Sequence, residues 1–388
     1  MLDLFQTNSC RVSGRLYFHP ACGKLANVKK AVQLMVGFLL FGSAVFPAQA
    51  AFTSLHVFGD SISTTTSNAD TGPLYYGQRY SNGRVWVEVL AQRQGLTLYS
   101  TNNISGFGNT STNVAIAINT FIAPSDVSTA LFVIWVNDAD LFYPAVNNVS
   151  LVSWTNAINQ SLTNHFKIIT NLYAKGVRTL IMPNVVDLST IPEFNASSSA
   201  NLIHQKCLYY NVAFAAILNQ ARTNSNYPGL TIYMPDFFSL LTNILAYPAN
   251  YGVTNALINY GQGNVSIDAV DSIPSLTVTN NPGTNYIFWD PTDPTAKVHM
   301  WMANLTQQLI SPVQISNITS LNGSNQLVMA NVPIGQNGLV LGRTNLLLGN
   351  WTTNVTFISS NATQSVFVTP SGPVWFYRLS FPYFWTWP

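Results

Sequence analysis

The chain has 388 residues, 47% of them apolar, 12% aromatic and only 8% charged. At roughly 100–200 residues per domain that length predicts two or three domains, and a chain so rich in apolar side chains is not a disordered one. The net charge is +2, but five of the sixteen basic residues precede Ala51; residues 51–388 carry 11 basic against 13 acidic side chains, a net of −2. No basic face is left to track phosphates, so no nucleic-acid partner is expected. The 41 asparagines imply a surface hydrated by amides and hydroxyls, where ordinary soluble proteins use about 25% charged residues.

Lys29 and Lys30 precede an apolar run over 31–46, and Ala48-Gln49-Ala50 follows. A basic end, an apolar stretch of about fifteen residues and an Ala-x-Ala site predict a bacterial secretory signal cleaved near Ala50. An N-terminal membrane anchor is the less favoured reading, because a span needs about 20 residues. Residues 1–27 fit no signal peptide, and translation beginning near Val28 would account for them. The expected mature protein is secreted, periplasmic or held at the cell surface. It keeps one cysteine, Cys207, which predicts no internal disulfide and no cysteine metal site; Cys207 itself lies in an apolar helical stretch and reads as core.

From residue 51 to 311 short apolar runs alternate with amphipathic stretches. Strands are predicted over 54–58, 131–136, 177–182 and 230–234, and helices over 85–94, 154–174, 201–223 and 296–309. The run 131–136 is apolar without interruption, as expected of a strand covered on both faces. Strand and helix in alternation predict a three-layer α/β domain with a mostly parallel sheet. Residues 247–288, rich in Asn, Gly, Pro and Thr, read as a long functional loop. After Pro312 the helical period disappears, and short runs over 326–332, 338–342, 354–359, 364–368 and 374–379 predict a separate all-β, sandwich-like module over 312–388. Asn-Xaa-Ser/Thr triplets such as those at Asn103, Asn304 and Asn354 arise by chance in this composition and are not read as glycan sites.

Phe58-Gly59-Asp60-Ser61 closes the first strand. A serine at that point stands at the carboxyl edge of the sheet, where open α/β folds bind ligands, and its own N–H can help hold an oxyanion. Alone, Gly-Asp-Ser is also ordinary turn chemistry. Together with Tyr75-Tyr76-Gly77-Gln78-Arg79-Tyr80-Ser81-Asn82-Gly83-Arg84-Val85-Trp86, however, the stretch resembles the opening of the GDSL-type SGNH hydrolases, in their lecithinase/lipase-like branch. Asn103-Ile104-Ser105-Gly106-Phe107-Gly108-Asn109-Thr110 resembles the second block of that family and Trp135-Val136-Asn137-Asp138 the third, without the glycine usual before the asparagine. Tyr173–Arg178, Asn184, Pro192 and the segment from Pro248 to Asn255 continue the likeness, which spans about residues 52–310.

The resemblance implies a serine hydrolase of carboxylic esters, acting on lipid or acetylated-glycan substrates. Ser61 would be the nucleophile, and the N–H groups of Ser61 and Gly108 with the Asn137 amide would form the oxyanion hole. No metal or cofactor is implied, and no phosphate loop or dinucleotide fingerprint is present; Asp268 and Asp271 read as loop solvation. The family's last block is Asp-x-x-His, its histidine being the base and its aspartate the residue that orients it. Here Asp290 matches, but the histidine position holds Asp293. Asp293-Pro294 followed by Ala-Lys-Val reads as a helix N-cap with proline at the first position, which would keep the carboxylate ionised and a poor base. His299 is the substitute candidate for the base. It lies about 9 Å further along the helix and on a different face, so the other reading is a histidine packed on the sheet. Two alternatives to an esterase follow: a weakened relative that binds lipid or carbohydrate, and a surface scaffold or adhesion protein. For the last, Thr344-Asn345-Leu346, Trp351 and Phe376-Tyr377-Arg378 resemble small β-sandwich modules appended to bacterial secreted enzymes, with a surface or glycan contact as the expected role.

Overall fold

The computed structural model describes residues 52–70, 72–253, 267–279, 285–370 and 375–381. The expected leader over 1–50 lies outside them, as do parts of the 247–288 loop and Val374. Four strands, β1 (Leu55–Gly59), β2 (Leu131–Trp135), β3 (Thr179–Ile181) and β4 (Thr231–Tyr233), form one sheet in the order β1-β2-β3-β4 with every pairing parallel. Every residue of β1 and β2 is buried, which requires cover on both faces of the sheet. Side chains alternate in direction along a strand, and the aromatic contacts separate accordingly. His56 stacks on Phe132, and both meet Phe121, which caps helix α2 (Ser111–Thr120). Trp135 points the other way, into a cluster with Trp86 of α1 (Trp86–Arg93) and Phe237 of α6 (Phe237–Ala246). Helices α3 (Asn137–Val146), α4 (Leu151–Ala174) and α5 (Ala200–Thr223) pack in sequence with α2, whereas α7 (Ala296–Ile310) packs against α1 and α6. The expected three-layer α/β domain with a parallel sheet is the observed one. Cys207 is fully buried in α5.

Six antiparallel strands follow: β5 (Gln314–Leu321), β6 (Ser324–Ala330), β7 (Asn337–Arg343), β8 (Thr352–Ile358), β9 (Gln364–Val368) and β10 (Phe376–Ser380). They form two three-stranded sheets, β5-β6-β9 and β10-β7-β8. Leu327, Met329, Val366 and Val368 of one sheet and Val340 of the other share a buried cluster, separate from that of the α/β region, with Val355, Phe357 and Leu379 packed on it. This is a small β-sandwich. It meets the α/β region at α1, where the Ile334 N–H donates to the Arg93 carbonyl at 3.3 Å.

Candidate active site

The parallel register places the first two motif residues without any further assumption. Gly59 pairs with Trp135, and Ser61 and Asn137 each lie two residues beyond, so they leave the carboxyl edge of the sheet side by side on neighbouring strands. The 103–109 segment runs alongside: the Ile104 N–H donates to the Val57 carbonyl at 2.7 Å, the Gly106 N–H to the Gly59 carbonyl at 3.1 Å, and Asn109 Nδ2 to the same carbonyl at 3.1 Å. Gly59 permits this approach, because a Cβ there would lie 2.8 Å from Ser63 Cβ and 2.9 Å from Ser105 Oγ. Gly108 has φ +76°, a left-handed backbone that favours glycine. Among the described residues, the N–H groups of Ser61 and Gly108 have no acceptor. The Asn137 amide is buried and fixed, its Nδ2 donating to the Pro183 carbonyl at 2.9 Å, which leaves it one N–H to offer.

The last motif closes over this edge. Asp290 is held by three donors of its own, the Thr292 and Asp293 N–H groups on Oδ1 at 2.9 and 2.8 Å and the Tyr75 hydroxyl on Oδ2 at 3.1 Å, and the Thr292 hydroxyl lies 3.1 Å from Oδ1. Tyr75 stands on a loop braced by the Arg79–Glu88 ion pair and packs with Trp289 and with Ala269 and Leu276 of the long 247–288 loop. That loop therefore supports the acid from behind.

Asp293 is not the helix cap the local sequence suggests. The helix starts two residues later, with Thr295 as its N-cap residue, and the Asp293 main chain is turned inward, its carbonyl accepting from the Trp289 N–H at 2.8 Å. The cap comes from far along the chain: Asn82 Oδ1 accepts from the Ala296 N–H at 2.8 Å. The freed Asp293 carboxylate is 1% exposed. It shares the Thr292 hydroxyl with Asp290, the contact on Asp293 Oδ2 being the shorter at 2.8 Å, and the Ser61 hydroxyl exerts a small downward pull on its pKa. Asp293 Oδ1 has no hydrogen-bond partner among the described residues. Burial first, and the Asp290 charge second, nevertheless hold Asp293 well above the usual carboxylate range. Burial also raises Asp290, against the pull of its hydrogen bonds, raises Asp60 to about 7, and holds Asp138 well above its usual value. Asp60 accepts from the Ile62 N–H at 3.1 Å, and Asp138 from the Val186 N–H at 3.1 Å. Ser61 thus sits among four buried acids; among the described residues no group of three or more His, Cys, Asp or Glu is arranged to hold a metal.

The four histidines of the described residues stand apart from this centre. His299 is fully buried in α7 with both ring nitrogens unpartnered among the described residues, and burial alone lowers its pKa to about 3. No carboxylate of the site acts on it. His56 lies near the Ser54 hydroxyl, His165 bonds the Ser161 carbonyl in its own helix, and His204 pairs with Asp187 at 2.6 Å.

The sequence profile of the GDSL-like lipase/acylhydrolase family matches residues 55–306. The chain belongs to this family. The matched region takes in Ser61, Gly108, Asn137, Asp290 and Asp293 together. A GDSL esterase/lipase of Arabidopsis thaliana is 25% identical over 149 residues, 37% of this chain and 42% of the plant protein, so the likeness spans less than half of that relative. Among solved structures, an acetylxylan esterase of Geobacillus stearothermophilus is 12% identical with a TM-score of 0.40, over 68% of this chain and 96% of its own. A lipase from a goat rumen metagenome is 10% identical with a TM-score of 0.40, over 66% and 97%.

Sequence reasoning did not single out Tyr75, Asn82, Asp60 or Asp138 for a role at the site. Tyr75 and Asn82 lie within the recognised opening motif, but their partners are 215 and 214 residues away. Nothing local announces such pairings.

Proposed function

We propose that this member of the GDSL-like family hydrolyses carboxylic esters through Ser61, with Asp293 as the proton acceptor in place of an imidazole. What supports the reading is a carboxyl, Asp293, buried beside Asp290 at the position where the family pattern has its histidine and held above the usual carboxylate range, with the Ser61 hydroxyl among the groups that act on it. A general base works best when its pKa approaches the working pH, and hydrogen bonds at such sites are often long before substrate binds. The pair divides the work by environment. Asp290, held by two N–H groups and the Tyr75 hydroxyl, is the fixed anion, and its charge helps raise Asp293, the one that exchanges protons.

In this reading Ser61 Oγ attacks the ester carbonyl as its proton passes to Asp293. The negative charge that develops on the carbonyl oxygen meets the N–H groups of Ser61 and Gly108 and the free N–H of Asn137, donors worth about 3–4 kcal/mol each when preorganised. Protonated Asp293 then returns the proton to the leaving alkoxide, and water releases the acyl group by the same steps in reverse roles. Lipid and acetylated-glycan esters are the substrate classes we propose. The segment over 29–50 would direct export, and the β-sandwich would be a separate unit dispensable for the chemistry.

A second reading rests on the absence of an imidazole partner for Ser61 among the described residues: a relative that binds its ester with very slow turnover. Hydrolysis of short-chain nitrophenyl esters separates the two. The first reading expects activity abolished by Ser61→Ala and lowered about 10²–10⁴-fold by Asp293→Asn, the contribution of a general base. Activity unchanged in Asp293→Asn would remove Asp293 from the mechanism. A wild type without turnover that gains it on Asp293→His would establish the second reading.

A further inference from the structure

The β-sandwich carries a feature that ester hydrolysis does not use. The β7–β8 hairpin ends in a loop whose residues 344–350 are all exposed, and its tip is three consecutive leucines. Leu346, Leu347 and Leu348 are 56%, 92% and 71% exposed. The tip is built: Asn345 Oδ1 accepts from the Leu347 and Leu348 N–H groups at 2.8 and 3.2 Å, and the Asn345 carbonyl accepts from Arg343 Nε. At its base Trp351 lies under two guanidinium groups, Arg343 at 5.0 Å and Arg378 at 4.7 Å from the ring centroid. These two arginines are the only charged side chains in residues 312–388, a stretch without a single Asp, Glu or Lys. Every charge of the module is therefore positive and gathered beside its most exposed apolar residues.

We propose that this tip inserts into the surface of an anionic phospholipid bilayer. Each part has its place there. The leucines enter the acyl boundary, Trp351 lies at headgroup depth as tryptophans do at membrane interfaces, and Arg343 and Arg378 meet the lipid phosphates. A protein partner fits less well. A stable protein interface covers about 800 Å² on each side, more than a seven-residue loop presents, whereas a bilayer accepts a protruding tip. The inference is independent of the chemistry at Ser61.

The test is co-sedimentation of the full chain with vesicles of phosphatidylcholine alone and of phosphatidylcholine mixed with phosphatidylglycerol. Stronger binding to the mixed vesicles is expected. The double variant Leu347→Asp/Leu348→Asp should lose at least about tenfold in binding, since two leucine side chains no longer leave water. Arg343→Gln should cost about fivefold on mixed vesicles, the loss of one basic contact, and little on phosphatidylcholine. All three positions are at least partly exposed, and circular dichroism checks that the variants fold. A wild type that does not sediment with mixed vesicles, binding indifferent to the leucine changes, or equal binding to both compositions would each overturn the proposal. So would a dimer in sedimentation velocity that the leucine changes dissolve while vesicles are ignored.

Discussion

Replacing His299 by Leu tests whether that residue is part of the chemistry or part of the core. The ring is fully buried and neither nitrogen has a partner among the described residues. An unsatisfied buried polar group costs about 1–3 kcal/mol, so a leucine of similar size should leave the protein equally stable or more stable at neutral pH. Acid sharpens the contrast. The imidazole has a pKa of 6.5 in the unfolded chain and about 3 in the folded one. The unfolded state therefore takes up the proton first, and wild-type stability is lost as pH falls from 6.5 toward 3. At about pH 4.5 this amounts to about 3 kcal/mol, from two pH steps at ~1.4 kcal/mol each. The leucine variant has no such loss. Its advantage over wild type should grow by about 3 kcal/mol between about pH 7.5 and 4.5, a difference from which packing changes cancel. Urea unfolding at both pH values measures it, and ester hydrolysis at neutral pH should be unchanged. A fall in turnover of about 10²–10⁴-fold would make His299 the base, and an advantage that does not grow in acid would refute the buried, neutral imidazole.

Two further substitutions probe the supports of the site. Asn137→Ala removes one proposed oxyanion donor and should lower kcat by about 10²–10³-fold with little change in KM; an effect confined to KM would assign the amide to ground-state binding. Asn82→Ala removes the remote cap of α7 and should cost about 1 kcal/mol in chemical denaturation, with turnover falling too if the cap fixes Asp293 against Ser61.

The fold was legible where burial and apolar sequence coincide. The β2 segment is apolar throughout, and β1 apart from His56, because both faces are covered, and the long helices α4 and α5 were expected nearly to their ends. Where the two part company, the sequence was silent. β5 was missed because six of its eight residues are exposed and show no alternation. α3 was missed because it opens on Asn137 and contains Pro144, both of which discourage a helix reading. Asp293 was misread for a physical reason. Asp-Pro is good helix-start chemistry, but Pro294 here pairs with Phe288 as an isolated bridge, which keeps the chain extended until Thr295. A residue 214 positions away then supplies the cap. The motif positions were readable one by one; the burial that raises the four acids comes from the packing of segments the sequence does not place together.

The Ser81, Asn82 and Tyr75 contacts to Pro294, Ala296 and Asp290 span 213, 214 and 215 residues. Closing so large a loop is entropically costly, and contacts of this sequence separation form slowly. Ser61 is made early in synthesis and Asp293 nearly at the end of the α/β region, so a chain halted before residue 293 holds its serine without the carboxylate proposed to take its proton. The proposed hydrolytic centre is then among the last things to assemble, and on that mechanism the protein is chemically silent for most of the time it is being made.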